Sequence, residues 1–201
     1  FFGESVATGD VNADGLTDVL VGEPEGDVAF LFYGHRAETG AESELAGVTF
    51  SGESGGRFGH AVSLVDMDGD GLDDVVVTAP NEGSGAAHVF LAAEGLDGRL
   101  STVDASKTVH APAELGTGSM GYALAIGDVT GDGAKDIVLG APNAYLDSVL
   151  VGGVWVAADL DWSEPDHGLE LEDGFWGDTP GGQAGSALTV VDFDGDGVEE
   201  I

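Results

Sequence analysis

The sequence predicts an all-β fold: a β-propeller of four-stranded antiparallel blades, with about three blades and the start of a fourth in this chain. Three observations predict it. An acidic nine-residue turn occurs four times. Short apolar runs flank the turns at fixed distances. Glycine is abundant, at 35 of 201 residues, while proline is scarce, at 6. That mixture suits many tight turns between short strands and does not suit a helical bundle.

The turns are Asp10-Val-Asn-Ala-Asp-Gly-Leu-Thr-Asp18, Asp66-Met-Asp-Gly-Asp-Gly-Leu-Asp-Asp74, Asp128-Val-Thr-Gly-Asp-Gly-Ala-Lys-Asp136 and Asp192-Phe-Asp-Gly-Asp-Gly-Val-Glu-Glu200. Their first aspartates recur after 56, 62 and 64 residues. A repeat of this period indicates an array of similar units. The units are 1–57, 58–119, 120–183 and an incomplete 184–201. A glycine stands seven residues before each first aspartate, at Gly3, Gly59, Gly121 and Gly185. It is preceded by Phe2, Phe58, Met120 and Ala184. Twelve residues after the first aspartate come Gly22-Glu-Pro24, Thr78-Ala-Pro80 and Gly140-Ala-Pro142.

Each unit supplies four expected strands. The first lies at 5–9, 61–65, 123–127 and 187–191, just before a turn. The second follows the turn, at 19–21, 75–77 and 137–139. These runs are too short for stable helices and end at Pro or Gly. Their near-continuous apolar character suits sheets covered on both faces. A third strand is expected at 28–33, 87–91 and 153–157, and a fourth at 47–50, 108–111 and 169–171. Four short strands per unit read as propeller blades.

The turns have the chemistry of a calcium site. Calcium takes six to eight hard oxygen ligands. Carboxylates at positions 1, 3, 5 and 9 can fold inward, and the carbonyl of position 7 adds another oxygen. Position 6 is Gly15, Gly71, Gly133 or Gly197, which permits the sharp bend. The candidate ligands are Asp10, Asn12, Asp14, Leu16 and Asp18; Asp66, Asp68, Asp70, Leu72 and Asp74; Asp128, Thr130, Asp132, Ala134 and Asp136; and Asp192, Asp194, Asp196, Val198 and Glu200. The second loop has the fullest set. Thr130 is a weaker donor than a carboxylate, and Glu200 is one methylene longer than aspartate. Magnesium resists dehydration and wants a smaller cage. Zinc wants His or Cys, and neither falls at a ligand position. An EF-hand needs Glu at position 12 and flanking helices; here that position is Val21, Val77 or Leu139, within a strand.

Bulk properties narrow the partners. Thirty-eight acidic residues against five basic ones give a formal charge of −33. Nucleic acid is excluded as a natural partner, because phosphate binding needs Lys and Arg; cations and basic surfaces are favoured. No cysteine is present, so disulfides and thiolate chemistry are absent. No apolar run approaches the roughly 18 residues of a membrane span, so no membrane insertion is expected.

The Phe2-Gly3 and Phe58-Gly59 pairs, the DxDxDGxxD-like loops and Gly140-Ala-Pro142 resemble FG-GAP repeats, the blades of the integrin α-subunit propeller and of many bacterial secreted proteins. The resemblance covers nearly the whole chain. It implies a closed ring, seven-bladed in most members, with calcium loops joining the first two strands of a blade. It also implies extracellular, secreted or cell-surface placement and a role in adhesion or ligand binding. Met120-Gly121 and Ala184-Gly185 lack the Phe, and the first two repeats have Glu-Pro and Ala-Pro without the full Gly-Ala-Pro. Three blades form an open arc with raw edges, so contiguity with further blades of a longer chain is expected.

None of the five histidines sits in a nucleophile motif, and Gly83-Ser-Gly85 is a turn signature. His60 and His88 are expected in strands, packed or at a blade edge. Trp155 is expected in the core, Trp176 exposed in a loop. The sequence therefore favours a non-enzymatic, calcium-binding module for a protein or carbohydrate ligand. The alternative is the propeller of a carbohydrate-active protein, a lectin or a calcium-dependent polysaccharide lyase.

Overall fold

The computed structural model describes residues 1–34, 46–115, 119–170 and 173–201. The first blade consists of β1 (Ser5–Gly9), β2 (Asp18–Glu23), β3 (Val28–Phe32) and β4 (Val48–Ser51), each antiparallel to the next. The second unit contains β5 (Val62–Val65), β6 (Asp74–Ala79), β7 (Ala86–Phe90), β8 (Gly98–Ser101) and β9 (Lys107–His110). Its blade runs β5-β6-β7-β9. The third unit contains β10 (Ala123–Gly127), β11 (Asp136–Ala141), a short hairpin β12 (Tyr145–Leu146) and β13 (Val149–Leu150), then β14 (Gly153–Ala157), β15 (Asp166–Gly168) and β16 (Gly174–Trp176). Its blade runs β10-β11-β14-β16. Among the described residues no helix is long and apolar enough to cross a membrane.

The apolar second strands form the heart of the stack. Every residue of β6 and of β11 is buried. Alternate residues of the second blade face opposite ways. Val75, Val77 and Phe90 pack with Leu20, Leu31 and Phe50 of the first blade, and the Phe50 and Phe90 rings lie 4.8 Å apart. Val76, Val89 and Val109 pack with Ile137, Leu139 and Trp155 of the third blade. Each such side chain, fully removed from water, contributes about 1.5–3 kcal/mol.

The glycines that open each unit mark where neighbouring blades touch. A β-carbon on Gly22 would overlap the carbonyl oxygen of Gly59, and one on Gly140 would overlap that of Gly185. The backbones therefore meet directly at these two junctions. At the junction between the second and third blades Thr78 stands where the others have glycine, and Gly121 lies against its Cβ. Phe58 is fully buried, with Gly52 of the first blade against its ring. Met120, without the aromatic ring, is equally buried against Gly85.

Besides the short β12–β13 hairpin, two strands are additions to the expected four. β8 leaves its own blade and pairs in parallel with β4, and β15 pairs in parallel with β9. Both lie between the third and fourth strands of one unit and cover the outer edge of the preceding blade. A long bare edge strand invites promiscuous pairing; here the edge passes to a short strand, β8 or β15, which offers little template. Because 166–168 serve the second blade, the fourth strand of the third blade is β16 at 174–176, not the expected 169–171; Leu171 lies outside the described residues, as do His35 and Arg36. The expected strand at 187–191 is present only as the bridge between Val191 and Glu200.

Lys107 fastens one of these additions. It is 1% exposed, and its ammonium donates to the carbonyls of Asp161 and Glu164, just before β15. Removing it takes away two hydrogen bonds from a charged donor, worth about 1.5–3 kcal/mol for such a bond. Lys107→Ala is expected to lower Tm by about 4–8 °C, taking about 2 kcal/mol at about 2–4 °C per kcal/mol. Scanning calorimetry checks this; an unchanged Tm would show that the contact contributes nothing.

Candidate metal centre

Three of the acidic turns join the first and second strands of a blade, β1 to β2, β5 to β6 and β10 to β11, and so share one end of the stack. The fourth, 192–200, is closed by paired bonds between Val191 and Glu200, N–H to carbonyl at 3.0 and 2.9 Å.

Each loop is wound around its first aspartate. Gly15, Gly71, Gly133 and Gly197 donate their N–H groups to Asp10, Asp66, Asp128 and Asp192, at 2.9–3.0 Å. Position 5 accepts from the position 7 amide in all four loops, at 2.8–2.9 Å. Position 6 has positive φ throughout, 92° at Gly71 for example, a conformation that glycine adopts without steric cost. The last residue closes the loop on itself. Asp18, Asp74, Asp136 and Glu200 accept the N–H of Val11, Met67, Val129 and Phe193.

The three closing aspartates are wholly buried, whereas the tips of the loops are exposed. Asp18 and Asp74 use their second oxygen to hold the chain after the third strand, accepting from Gly34 and Ala92. The corresponding oxygen of Asp136 is buried without a partner. Burial pushes the Asp74 carboxyl up to about 6, with Asp68 and Asp70 adding to the effect and the Ala92 and Met67 amides opposing it. Burial shifts Asp136 in the same direction. A positive charge beside such a group favours its ionised form.

Carboxylate oxygens of Asp66, Asp68 and Asp74 lie within 4.8 Å of one another, and so do those of Asp192, Asp194 and Asp196. The second loop thus gathers positions 1, 3 and 9 and leaves Asp70 outside that group. The fourth gathers 1, 3 and 5 and leaves Glu200 outside. In the first and third loops Asn12 and Thr130 replace the position 3 carboxylate, and Asn12 Oδ1 accepts from the Asp14 amide at 3.0 Å. Two unit charges at this separation repel by about 1 kcal/mol in water and several times more near a protein surface. The donors are hard oxygens, so the residues fit a calcium ion.

A family model for the FG-GAP repeat matches residues 2–41, 58–90 and 120–156, more than half of the chain. The chain belongs to the FG-GAP repeat family. It is similar to integrin alpha-PS5 of Drosophila melanogaster, 36% identical over 155 residues, which cover 72% of this chain and 15% of that protein. It is also similar to human integrin alpha-IIb, 36% identical over 164 residues, covering 72% and 15%. Phosphatidylinositol-glycan-specific phospholipase D of Bos taurus is 31% identical over 161 residues, covering 71% and 19%. The chain thus spans less than a fifth of the length of each of these relatives.

The blades of this integrin-α-like FG-GAP protein give its signature residues physical roles. Gly59 and Gly185 meet the strand glycines of the preceding blade, and Phe58 plugs the gap between blades. His88 is packed as expected, between Thr108 Oγ1 and Glu82 Oε2, each at 3.1 Å. Trp176 differs from expectation. It lies in β16, half-buried, its ring edge-on to Trp155 at 4.9 Å, while the neighbouring Phe175 is 66% exposed. Sequence reasoning also missed two acidic residues at loop position 8, Asp73 and Glu199. Each reaches the first aspartate of the preceding loop. The available signal was the residue before each loop, Gly9 and Gly127 in two copies but Val65 and Val191 in the others.

Proposed function

We propose that the chain is a calcium-stabilised, non-enzymatic binding and adhesion module acting outside the cell or at its surface, with a protein or carbohydrate as its ligand. The observation that carries this reading is the gathering of Asp66, Asp68 and Asp74 at the junction of the first two strands of a blade, within a hydrogen-bonded loop frame that recurs in the other three loops. In this reading each loop holds one Ca²⁺. The ligands are positions 1, 3, 5 and 9 with the position 7 carbonyl: Asp10, Asn12, Asp14, Leu16 and Asp18 in the first loop and their counterparts in the other three. Extracellular calcium-binding modules work at dissociation constants of about 10⁻⁴–10⁻³ M, which supports placement outside the cell, as does similarity to integrin alpha subunits.

The repeat units are taken as 1–57, 58–119, 120–183 and 184–201. Further blades would cover the apolar surface left on both outer blades, Phe1, Phe2 and Val6 on the first and Phe175 on the third. A cleft of 720 Å³ lined by Val154, Val156, Phe175, Val198 and Ile201 lies on the third blade's far side. About seven tenths of the chain matches integrin alpha subunits, and a similar share matches a phospholipase D. That supports an enzyme-associated propeller as the second reading, and it also favours a module whose work does not depend on the attached chemistry.

Substituting Asp68 and Asp70 together with Ala tests the ligand assignment. The variant is expected to bind one calcium fewer per chain by calorimetric titration and to lose part of the calcium-induced rise in Tm. Unchanged stoichiometry would refute the assignment for this loop.

A further inference from the structure

Two of the three boundaries between successive loops carry the same two-bond clamp. The Asp10 amide donates to Asp73 Oδ2 at 2.7 Å, and the Asp73 amide donates back to the Asp10 carbonyl at 3.2 Å. The Asp128 amide donates to Glu199 Oε2 at 2.6 Å, and the Glu199 amide returns to the Asp128 carbonyl at 2.9 Å. In both cases position 8 of one loop grips position 1 of the loop before it. The residue ahead of the gripped aspartate is glycine, and a β-carbon on Gly9 or Gly127 would collide with the gripping carboxylate.

The middle boundary is built differently. Position 8 of the third loop is Lys135, whose ammonium has no acceptor to offer the Asp66 amide. It turns away to Glu199 Oε2, at 3.3 Å. The residue ahead of Asp66 is Val65, not glycine. Lys135, Asp66, Val65 and Trp162 instead line a cleft of 550 Å³ between the two loops. Glycine thus accompanies the acidic clamp at both clamped boundaries, and valine accompanies lysine at the open one.

We infer that Asp73 and Glu199 are positioning residues that couple the cation loops in two pairs, the first with the second and the third with the fourth, while the second and third loops respond independently. This rests on the calcium reading proposed above. Asp73 lies between Leu72 and Asp74, and Glu199 between Val198 and Glu200, so each clamp sits between two residues assigned as ligands. An ion that fixes those ligands fixes the clamp, and the clamp holds the backbone of the neighbouring loop's first ligand. Binding that orders one site lowers the ordering cost at the next, which is positive cooperativity.

The test is a Ca²⁺ titration of the ¹⁵N-labelled 201-residue chain, with the amides of Gly15, Gly71, Gly133 and Gly197 each reporting its own loop. Asp68→Asn, which weakens the second loop, is expected to lower calcium affinity at Gly15 about fivefold or more, within the usual range of coupling, and to leave Gly133 unchanged. Asp73→Ala should weaken the first loop and abolish its dependence on the second. Asp73→Asn retains an oxygen acceptor for the Asp10 amide and should restore much of both. The double substitution Val65→Gly with Lys135→Asp should make Gly71 depend on the third loop. Equal effects at Gly15 and Gly133, or no effect at Gly15, would overturn the pairing while leaving calcium binding intact. Glycine signals that never move with calcium would overturn the calcium reading together with the coupling.

Discussion

Excess Ca²⁺ is expected to raise the melting temperature of the chain by about 10–20 °C over the same protein in EDTA, and Mg²⁺ at equal concentration by much less. Ligand bound only by the folded state adds about 2.7 kcal/mol per site at a hundredfold excess over its dissociation constant. Two filled loops alone then add about 5 kcal/mol, at about 2–4 °C per kcal/mol for a chain of this size. Three effects act in the same direction. The carboxylates of Asp66, Asp68 and Asp74 crowd within 4.8 Å; the chain carries a formal −33; and Asp74 is buried so that its charged form is disfavoured. A divalent cation relieves all three. Scanning calorimetry with the three additives decides the matter, and equal curves in EDTA and calcium would show that the turns are solvated acidic loops.

Trp155→Ala is expected to destabilise the protein by about 3–5 kcal/mol, the usual cost of truncating a large buried aromatic, whatever the metal present. The side chain is fully buried in β14. Its ring lies against Gly153 and Gly174, where a β-carbon on either would strike it. Trp176 meets it edge-on, with planes at 85°, and the indole N–H donates to the Glu170 carbonyl at 3.2 Å. Alanine would leave a cavity between strands and one carbonyl without its donor. Trp155→Phe, which keeps the ring but loses the hydrogen bond, should cost markedly less. Denaturant unfolding followed by circular dichroism separates the two, and a loss below about 1 kcal/mol for alanine would contradict the packing of the third blade.

Much of this architecture is legible in the residues. The first and second strands are visible because both blade faces are covered, which makes Val75-Val-Val77 and Ile137-Val-Leu139 continuous apolar runs bounded by Asp and Pro. The loops are visible because a cation site needs oxygen donors at alternate positions and a glycine at the bend, and that pattern repeats. β8 and β15 are hidden for an equally physical reason. Gly98-Arg-Leu-Ser101 and Asp166-His-Gly168 pair in parallel on outer edges, where burial demands little, so neither shows alternation. The clamps are hidden among so many carboxylates that Asp73 and Glu199 look like two more acidic residues. Only the blade-to-blade contact shows why Gly9 and Gly127 precede some loops and Val65 another.

The most direct test of the account is the number of calcium ions bound by the 201-residue chain, counted by calorimetric titration in a magnesium background. The account predicts four sites, with the second loop among the filled ones. A chain that binds no calcium under these conditions would contradict it, whatever its fold.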